Sequence, residues 1–236
     1  MKILIEPLEK LTNKKVVLLE KENIFVPRHE TDNRQEKYLQ KINKILQQEV
    51  FVGDLDLRNL PITSLGNLRE VTGSLYLENT KITSLGKLEK VEYLDLENTK
   101  ITSLGNLEKV GSLNLQNTPI TSLGNLEKVR RLDLENTPIT SLGNLREVEY
   151  LYLQNTPITS LGNLEKVSWL FLQNTPITSL GKLEKVGYLN LQNTKITSLG
   201  NLRKVSSLDL RNTPISKDPK LLKYYQDKFK GVTIQI

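Results

Sequence analysis

Two leucines separated by one residue recur along this chain at an almost constant spacing. Nine such pairs run from Leu55 and Leu57 to Leu208 and Leu210, with a first step of 20 residues and later steps of 19. The leucines are invariant, whereas the residues before, between and after them differ from copy to copy. A fixed period of this length predicts a solenoid, in which each coil packs only against its neighbours.

The third copy, Val91 to Lys109, shows the path predicted for one coil. The alternation around Leu94 and Leu96 has period two and predicts a short strand with both leucines inward and Asp95 outward. From Ile101 onward the apolar spacing is three, which fits 3₁₀ turns or extended backbone and not α-helix. Proline precedes the corresponding isoleucine at positions 119, 138, 157, 176 and 214. The residue before a proline is biased towards extended backbone, which supports this reading.

The nine copies resemble leucine-rich repeats, whose pattern is L-x-x-L-x-L-x-x-N-x-L. The third copy reads VEYLDLENTKITSL, and the resemblance covers residues 52–215. The copies are most similar to internalin-type repeats shortened by one apolar triplet, and to short-repeat arrays of bacterial and phage proteins. The resemblance implies an α/β solenoid with a curved parallel sheet on its concave face, a 3₁₀ or extended convex side, and a cap at each end.

Two polar positions that recur in the copies depart from that pattern. The slot that the family fills with asparagine holds threonine, as at Thr99, and asparagine stands one place earlier, as at Asn98. We favour threonine as the inward residue, bonded to the backbone of the adjacent coil, with asparagine shaping the bend. The alternative is a shifted register with asparagine inward. Glycine follows the Ile-Thr-Ser-Leu run in the first eight copies, where it suits a positive-φ turn or a close approach of coils.

The chain outside the repeats divides into two predicted caps. Residues 1–51 are predicted to contain strands at 2–6 and 16–26 and one amphipathic helix, whose N-cap is Thr31 or Asp32. The apolar residues of that helix are Tyr38, Leu39, Ile42, Ile45 and Leu46. Residues 216–236 are predicted to form a C-terminal cap.

The C-terminal cap has two predicted elements. Asp218 and Pro219 start a helix, and residues 232–236 form a closing strand. The nine repeats between the two caps occupy residues 52–215.

Charge and composition narrow the function classes. Residues 51–210 hold 17 basic and 17 acidic residues, so the net charge of +6 lies at the ends and the array has no basic stripe for nucleic acid. The chain has no cysteine, and its one histidine, His29, lies in a polar loop. We therefore predict no enzyme, no cofactor and no metal site. The absence of a signal-length or membrane-length apolar run predicts a cytoplasmic protein without membrane insertion, virion-associated if of phage origin.

The slots that vary between copies are expected to face outward from the sheet. In copies six to eight they hold five aromatic residues, which we call the aromatic patch: Tyr150, Tyr152, Trp169, Phe171 and Tyr188. In copies two to five they hold an acidic patch: Glu78, Asp95, Glu97, Asp133 and Glu135. The predicted partner-binding residues are the aromatic patch with Gln173, Arg131, Asp95, Glu97, Asp133 and Glu135.

Each patch has an alternative interpretation. The aromatic rings are open to cross-strand stacking without a partner, or to burial in an oligomer. The paired carboxylates Asp95/Glu97 and Asp133/Glu135 would suit glycoside hydrolysis in a cleft. On an open sheet we expect them to be solvated, with no burial to raise a pKa.

We predict a non-catalytic module that binds a protein through the concave sheet face, centred on the aromatic patch. The alternatives are a structural or assembly component, such as a particle decoration or adhesion protein, and carbohydrate recognition by the aromatic rings. A protein is therefore the predicted partner, a glycan is an alternative one, and nucleic acid is disfavoured.

Overall fold

A computed structural model describes residues 32–236, which form three helices and eleven strands. The predicted strands at 2–6 and 16–26, together with His29 and Thr31, lie outside the described residues. The elements are α1 (Asp32–Leu46), β1 (Val50–Phe51), β2 (Leu55–Asp56), β3 (Glu70–Tyr76), β4 (Lys90–Asp95), β5 (Lys109–Asn114), β6 (Lys128–Asp133), β7 (Glu147–Tyr152), β8 (Lys166–Phe171), β9 (Tyr188–Asn190), β10 (Ser207–Asp209), α2 (Pro214–Lys217), α3 (Pro219–Lys228) and β11 (Thr233–Gln235).

The strands form one parallel sheet in chain order. The order is β1-β3-β4-β5-β6-β7-β8-β9-β10-β11, and β2 also pairs with β3. Equivalent leucines are in register, since Leu94 pairs with Leu113 and Leu113 with Leu132. The paired leucines are buried along the whole array, as are the isoleucines and valines of the period-three segment. The parallel solenoid predicted from the repeat is therefore confirmed.

Each coil reverses direction at two tight turns. In the third coil the Thr99 N–H donates to the Leu96 carbonyl at 3.1 Å, and the Leu107 N–H donates to the Leu104 carbonyl at 3.1 Å. The residue within the first turn, Asn98, has φ 56°. Between the turns, at residues 100–104, the backbone forms neither a helix nor a strand. This side of the coil is therefore non-α-helical, as the period of three predicts.

Threonine is the inward member of the two polar positions. Thr99 is buried, and its hydroxyl donates to the Leu96 carbonyl at 2.7 Å. The acceptor belongs to the same coil, so our expectation of a bond to the adjacent coil was wrong. That link is made instead by asparagine, because the Asn98 backbone N–H donates to the Gln116 carbonyl of the next coil at 3.1 Å.

The asparagine side chains form a ladder on the surface. In the second half of the array each Nδ2 donates to the Oδ1 of the preceding coil, as from Asn136 to Asn117 at 3.0 Å and from Asn155 to Asn136 at 2.9 Å. All nine asparagines have φ between 56° and 61°, a left-handed conformation that asparagine tolerates better than most residues. Asparagine therefore shapes the bend, as predicted.

A bulge explains the 20-residue first step. Phe51 pairs with Val71 and Val71 with Val91, but the register shifts between Val71 and Ser74. The second coil thus carries one extra residue before its first leucine, as in a β-bulge. Phe51 is buried and occupies the position that valine holds in later coils. Val52, the predicted first residue of the repeats, is only half-buried.

The two ends of the array are covered by helices. Ile42 and Ile45 of α1 are buried, and the Asn67 N–H donates to the Leu46 carbonyl at 2.7 Å. At the other end, the side chain of Asp218 caps α3, which begins at Pro219 as predicted.

The C-terminal helix is fixed to the last coils by its aromatic residues. Tyr225 and Phe229 are buried, and the Tyr225 hydroxyl accepts the Leu199 N–H at 2.9 Å. The predicted closing strand is β11, which pairs with β10.

Candidate functional site

The outward face of the sheet consists of three columns of side chains. We call the residues before, between and after the paired leucines the first, middle and third columns. The strand register aligns them, since Tyr150 pairs with Trp169 in the first column and Tyr152 with Phe171 in the middle one. Neighbouring strands are about 4.8 Å apart, so each side chain lies beside its counterparts in adjacent coils.

Most middle-column residues have a structural role that the sequence reading did not identify. Each Asp or Asn in this column accepts the backbone N–H two residues further on, at 3.0–3.2 Å. These residues are Asp56, Asp95, Asn114, Asp133, Asn190 and Asp209. The bond satisfies a donor at the strand end, as in an Asx turn. Asp95 and Asp133, two of the predicted partner-binding residues, are therefore also turn-forming residues.

The structure brings the five residues of the aromatic patch into one contiguous stack. In the first column Trp169 lies between Tyr150 and Tyr188, with ring centroids 6.3 and 5.3 Å away and interplanar angles of 15° and 29°. In the middle column Tyr152 and Phe171 are 4.8 Å apart and almost parallel, at 3°. Such pairs contribute about 0.5–1.5 kcal/mol each beyond their buried area.

The two middle-column rings have further contacts. The guanidinium carbon of Arg131 lies 4.5 Å from the centroid of the Tyr152 ring, in a cation–π contact. Phe171 contacts the tilted ring of Tyr188 at 5.3 Å. Trp169 and Tyr152 thus have neighbouring groups against both ring faces, so their accessible surface lies at the ring edges. Trp169 remains the most accessible ring of the patch, with 44% of its surface exposed.

Gln173, predicted to lie beside the aromatic patch, is half-buried in the third column. Its Oε1 is buried without a hydrogen-bond partner, as is the Oε1 of the neighbouring Gln154. These two oxygens therefore offer no accessible acceptor to a ligand.

The acidic patch is less solvated than we expected. Burial raises the pKa of the Asp133 carboxyl, although the Glu135 N–H and Arg131 oppose this effect. Burial also raises the pKa of Glu97, and the charges of neighbouring carboxylates add to the increase. The expectation that this face offers no desolvation was wrong, because side chains in adjacent coils shield one another.

Asp95 is the most enclosed carboxylate of the acidic patch, with 9% of its surface exposed. Its Oδ2 accepts the Tyr93 hydroxyl at 3.0 Å, and its Oδ1 accepts the Asn114 Nδ2 at 3.1 Å. Asp95 and Glu97 in the third coil are separated from Asp133 and Glu135 by the fourth coil, which contributes no carboxylate to the face.

We expect Asp133→Asn to stabilise the protein near neutral pH. Asparagine keeps the Oδ1 acceptor, as Asn114 and Asn190 show in the same column. Folding raises the pKa of the Asp133 carboxyl, so the folded state is favoured when this group is protonated. That advantage is complete below the unfolded pKa and is lost as the pH rises through the folded pKa. The variant should exceed wild type in free energy of unfolding at about pH 7 and match it at about pH 3, as measured by urea unfolding.

Glu147→Gln provides the control with the opposite sign. Hydrogen bonds from Lys166 and Lys128 lower the pKa of Glu147, so its contribution is present above the unfolded pKa and is lost as the pH falls. This variant should be less stable than wild type near neutral pH. A loss of stability in Asp133→Asn at neutral pH would contradict the burial argument.

Sequence reasoning missed a second aromatic cluster at the start of the array. Tyr76 and Tyr93 have ring centroids 5.5 Å apart, and the Arg58 guanidinium carbon lies 5.2 Å from the centroid of the Tyr76 ring. Arg58 also forms an ion pair with Asp56 at 2.7 Å. Tyr76 lies in the middle column and Tyr93 in the first column, so the two rings meet only if their side chains tilt towards each other across the strands. The repeat pattern does not specify these side-chain torsions.

An open groove runs beside the strand starts, away from the aromatic patch. It has a volume of about 980 Å³, with Val129, Val148 and Val167 among its lining residues. Glu147 on its wall pairs with Lys128 at 3.0 Å and with Lys166 at 2.7 Å. Acidic and basic groups thus neutralise each other along this edge.

Within residues 32–236, no three His, Cys, Asp or Glu side chains are grouped so that they could hold a metal ion. No helix in the same range is long and apolar enough to cross a membrane.

Comparison with known proteins gives a likeness to a solved structure. No protein-family model and no curated protein sequence matches the chain. Among solved structures, the chain is similar to a leucine-rich repeat protein of Leptospira interrogans, with 17% identity, 77% of this chain and 83% of that one covered, and a TM-score of 0.30. The strand register and the two turns of each coil define the fold: the chain is a parallel solenoid of short coils, with a pair of buried leucines in each coil.

Proposed function

We propose that this protein is a non-catalytic interaction module that binds a protein partner through the outward sheet face, centred on the aromatic patch. The observation that carries the proposal is the exposure of Trp169, 44%, in the middle of three coils whose outward columns contain no charged residue. Exposed aromatic residues on a rigid surface are typical of interface hot spots. Solenoids of this kind use their extended sheet faces as binding surfaces.

The orientation of the rings supports a protein partner over a glycan. A sugar ring binds by stacking on a free aromatic face, but the faces of Trp169 and Tyr152 are covered by neighbouring rings and by Arg131. The exposed ring edges carry partial positive charge, which suits backbone carbonyls and the edge-to-face packing of apolar side chains. A polypeptide supplies both of these groups.

The test replaces the centre of the patch with residues that the chain itself uses in equivalent positions. Trp169→Ser places the residue found at Ser112 and Ser207 in the first column, and Phe171→Asn the one found at Asn114. Random linear peptides displayed on phage would be selected on the wild-type protein and measured against this double variant. We expect the selected peptides to lose at least about tenfold in affinity, the range of hot-spot removal.

Tyr224→Ala is the matched control. Tyr224 is 55% exposed on α3, outside the sheet face, so its removal should leave peptide affinity unchanged. Circular dichroism and unfolding curves would establish that the double variant is folded. Selected peptides that bind the folded double variant as tightly as wild type would refute the proposal.

A further inference from the structure

The aromatic patch is centred on the seventh coil. Trp169 and Phe171 of that coil are flanked by Tyr150 and Tyr152 in the sixth coil and by Tyr188 in the eighth. All three coils have glutamine in the third column. The patch therefore looks nearly the same when the order of its coils is reversed.

The coils on either side of these three carry opposite charges in the third column. Glu135 lies in the fifth coil and Arg211 in the ninth, each two coils from the centre of the patch. A rotation that exchanges the sixth and eighth coils also exchanges the fifth and ninth. In two molecules related in this way, Glu135 of each one lies opposite Arg211 of the other, as in a self-complementary twofold interface.

Arg211 can form this contact without giving up the bonds it already has. Its Nε and Nη2 donate to Asp209 and Gln192, whereas its Nη1 makes no hydrogen bond within residues 32–236. The side chain is 46% exposed, so a carboxylate from another molecule can reach it. A guanidinium with one engaged carboxylate still has donors for a second acceptor.

The same rotation places Asp133 opposite Asp209 in the middle column, but this pair is recessed. The two side chains are 14% and 1% exposed, and each has an arginine of its own coil within 4 Å, Arg131 at 3.9 Å and Arg211 at 2.5 Å. The more acidic second and third coils have no counterpart in the other molecule, because β11 is the last strand of the sheet. Like charges are therefore not forced together.

The sheet is flat where the patch lies. On the side away from the sheet, the Thr178 N–H of the seventh coil donates to the Thr159 carbonyl of the sixth at 3.0 Å, and Ser160 pairs with Ser179. The two coils are thus hydrogen-bonded on both sides, so neither side is spread apart. A locally flat face can meet a second flat face across the whole patch.

The reversed overlap is large enough for a weak, specific dimer. It runs from the fourth coil to β11, which is seven strands in register. At about 4.8 Å per strand and 3.3 Å per residue across the three columns, the outline is about 34 by 16 Å, or about 550 Å² on each molecule. The total of about 1,100 Å² lies at the low end of specific interfaces.

We infer that the protein partner of the aromatic patch is a second copy of this chain, related by a twofold axis that passes over the seventh coil parallel to its strand. This inference rests on the proposed function and identifies the partner. Trp169 of the two molecules meets at the axis, and Glu135 pairs with Arg211 twice. An axis shifted by half a coil or more would place a charged coil opposite an aromatic one. An axis along the array would place Asp95 and Asp133 opposite their own copies.

Sedimentation equilibrium of the full 236-residue chain tests this inference. We expect wild type to be dimeric at about 100 µM and mostly monomeric at about 1 µM. Glu135→Arg places two arginines together at both contacts, and Arg211→Glu places two glutamates together. Each variant alone should therefore dimerise at least about tenfold more weakly than wild type. An equimolar mixture of the two has opposite charges at both contacts and should dimerise like wild type.

Glu97→Arg is the matched control. It makes the same change in the same column, but in the third coil, which lies beyond the reach of the second molecule, so dimerisation should be unchanged. Circular dichroism establishes that each variant is folded. If Arg211→Glu does not fold beside Asp209, Arg211→Gln replaces it, and its mixture with Glu135→Arg should still dimerise more tightly than Glu135→Arg alone.

The outcomes distinguish this inference from the proposed function. A wild type that stays monomeric at about 100 µM, a dimer that survives Trp169→Ser/Phe171→Asn, or a mixture that fails to restore the dimer would each overturn the inference. Selected peptides that lose affinity for the folded double variant would leave the proposed function standing in all three cases. If neither the dimer nor the selected peptides respond to the double variant, both proposals are wrong.

Discussion

Alanine at Leu151 should lower the free energy of unfolding by about 3–5 kcal/mol, the largest effect we expect from a single substitution. Leu151 is fully buried in the sixth coil, and its strand position pairs with Leu132 on one side and Leu170 on the other. The cavity therefore opens at two coil interfaces at once. A solenoid has no contacts beyond nearest neighbours, so the weakened coil cannot be supported from elsewhere.

Urea unfolding followed by circular dichroism measures this loss. Leu222→Ala is the comparison, because Leu222 lies on α3 and is only partly buried against the core. It should cost about 1 kcal/mol, since less apolar surface is lost and the helix end can adjust. Equal costs for the two variants would show that the central coils do not depend on tight packing.

Alanine at Gly181 should lower the free energy of unfolding by about 2–5 kcal/mol, because two separate penalties apply. Gly181 has φ 60°, where a Cβ adds about 1–2 kcal/mol of strain. A Cβ there would also lie 2.5 Å from the backbone carbonyl oxygen of Gly162 in the previous coil, so the backbone must shift. Overpacking of this kind costs a further ~1–3 kcal/mol.

Gly105→Ala separates the two penalties. Gly105 has a similar φ of 55°, but an added Cβ would meet no atom within 4 Å. Only the strain of about 1–2 kcal/mol should then remain. In thermal or urea unfolding, Gly181→Ala should be clearly less stable than Gly105→Ala. The reverse order would contradict the close contact between the sixth and seventh coils.

The fold could be predicted from the sequence because the repeat specifies it nine times. Leu94 and Leu96 give the strand, the period of three from Ile101 gives the non-α-helical side, and Asn98 marks a bend that needs positive φ. The acceptor of the Thr99 hydroxyl could not be predicted in this way. The pattern shows that threonine is inward, but the turn itself brings the Leu96 carbonyl of the same coil within reach.

The candidate site could be predicted only in part. Column positions are fixed by period two, so the contiguity of Tyr150, Trp169 and Tyr188 follows from sequence. Ring orientation depends on side-chain torsions, which is why the covered faces and exposed edges emerged only from the structure. The burial of Asp133 also escaped prediction, since an outward slot says nothing about shielding by neighbours.

The strand-end bond of the middle column limits how this surface can change by mutation. Aspartate or asparagine supplies the bond, whereas Tyr76, Tyr152 and Phe171 have no oxygen placed to accept it. Each of these three rings contacts an aromatic ring of an adjacent coil. A single ring placed at Asn114 would lose the bond and have only Asp95 and Asp133 beside it in that column. New aromatic residues in this column should therefore be acquired in adjacent coils together, by duplication of whole coils more readily than by isolated substitutions.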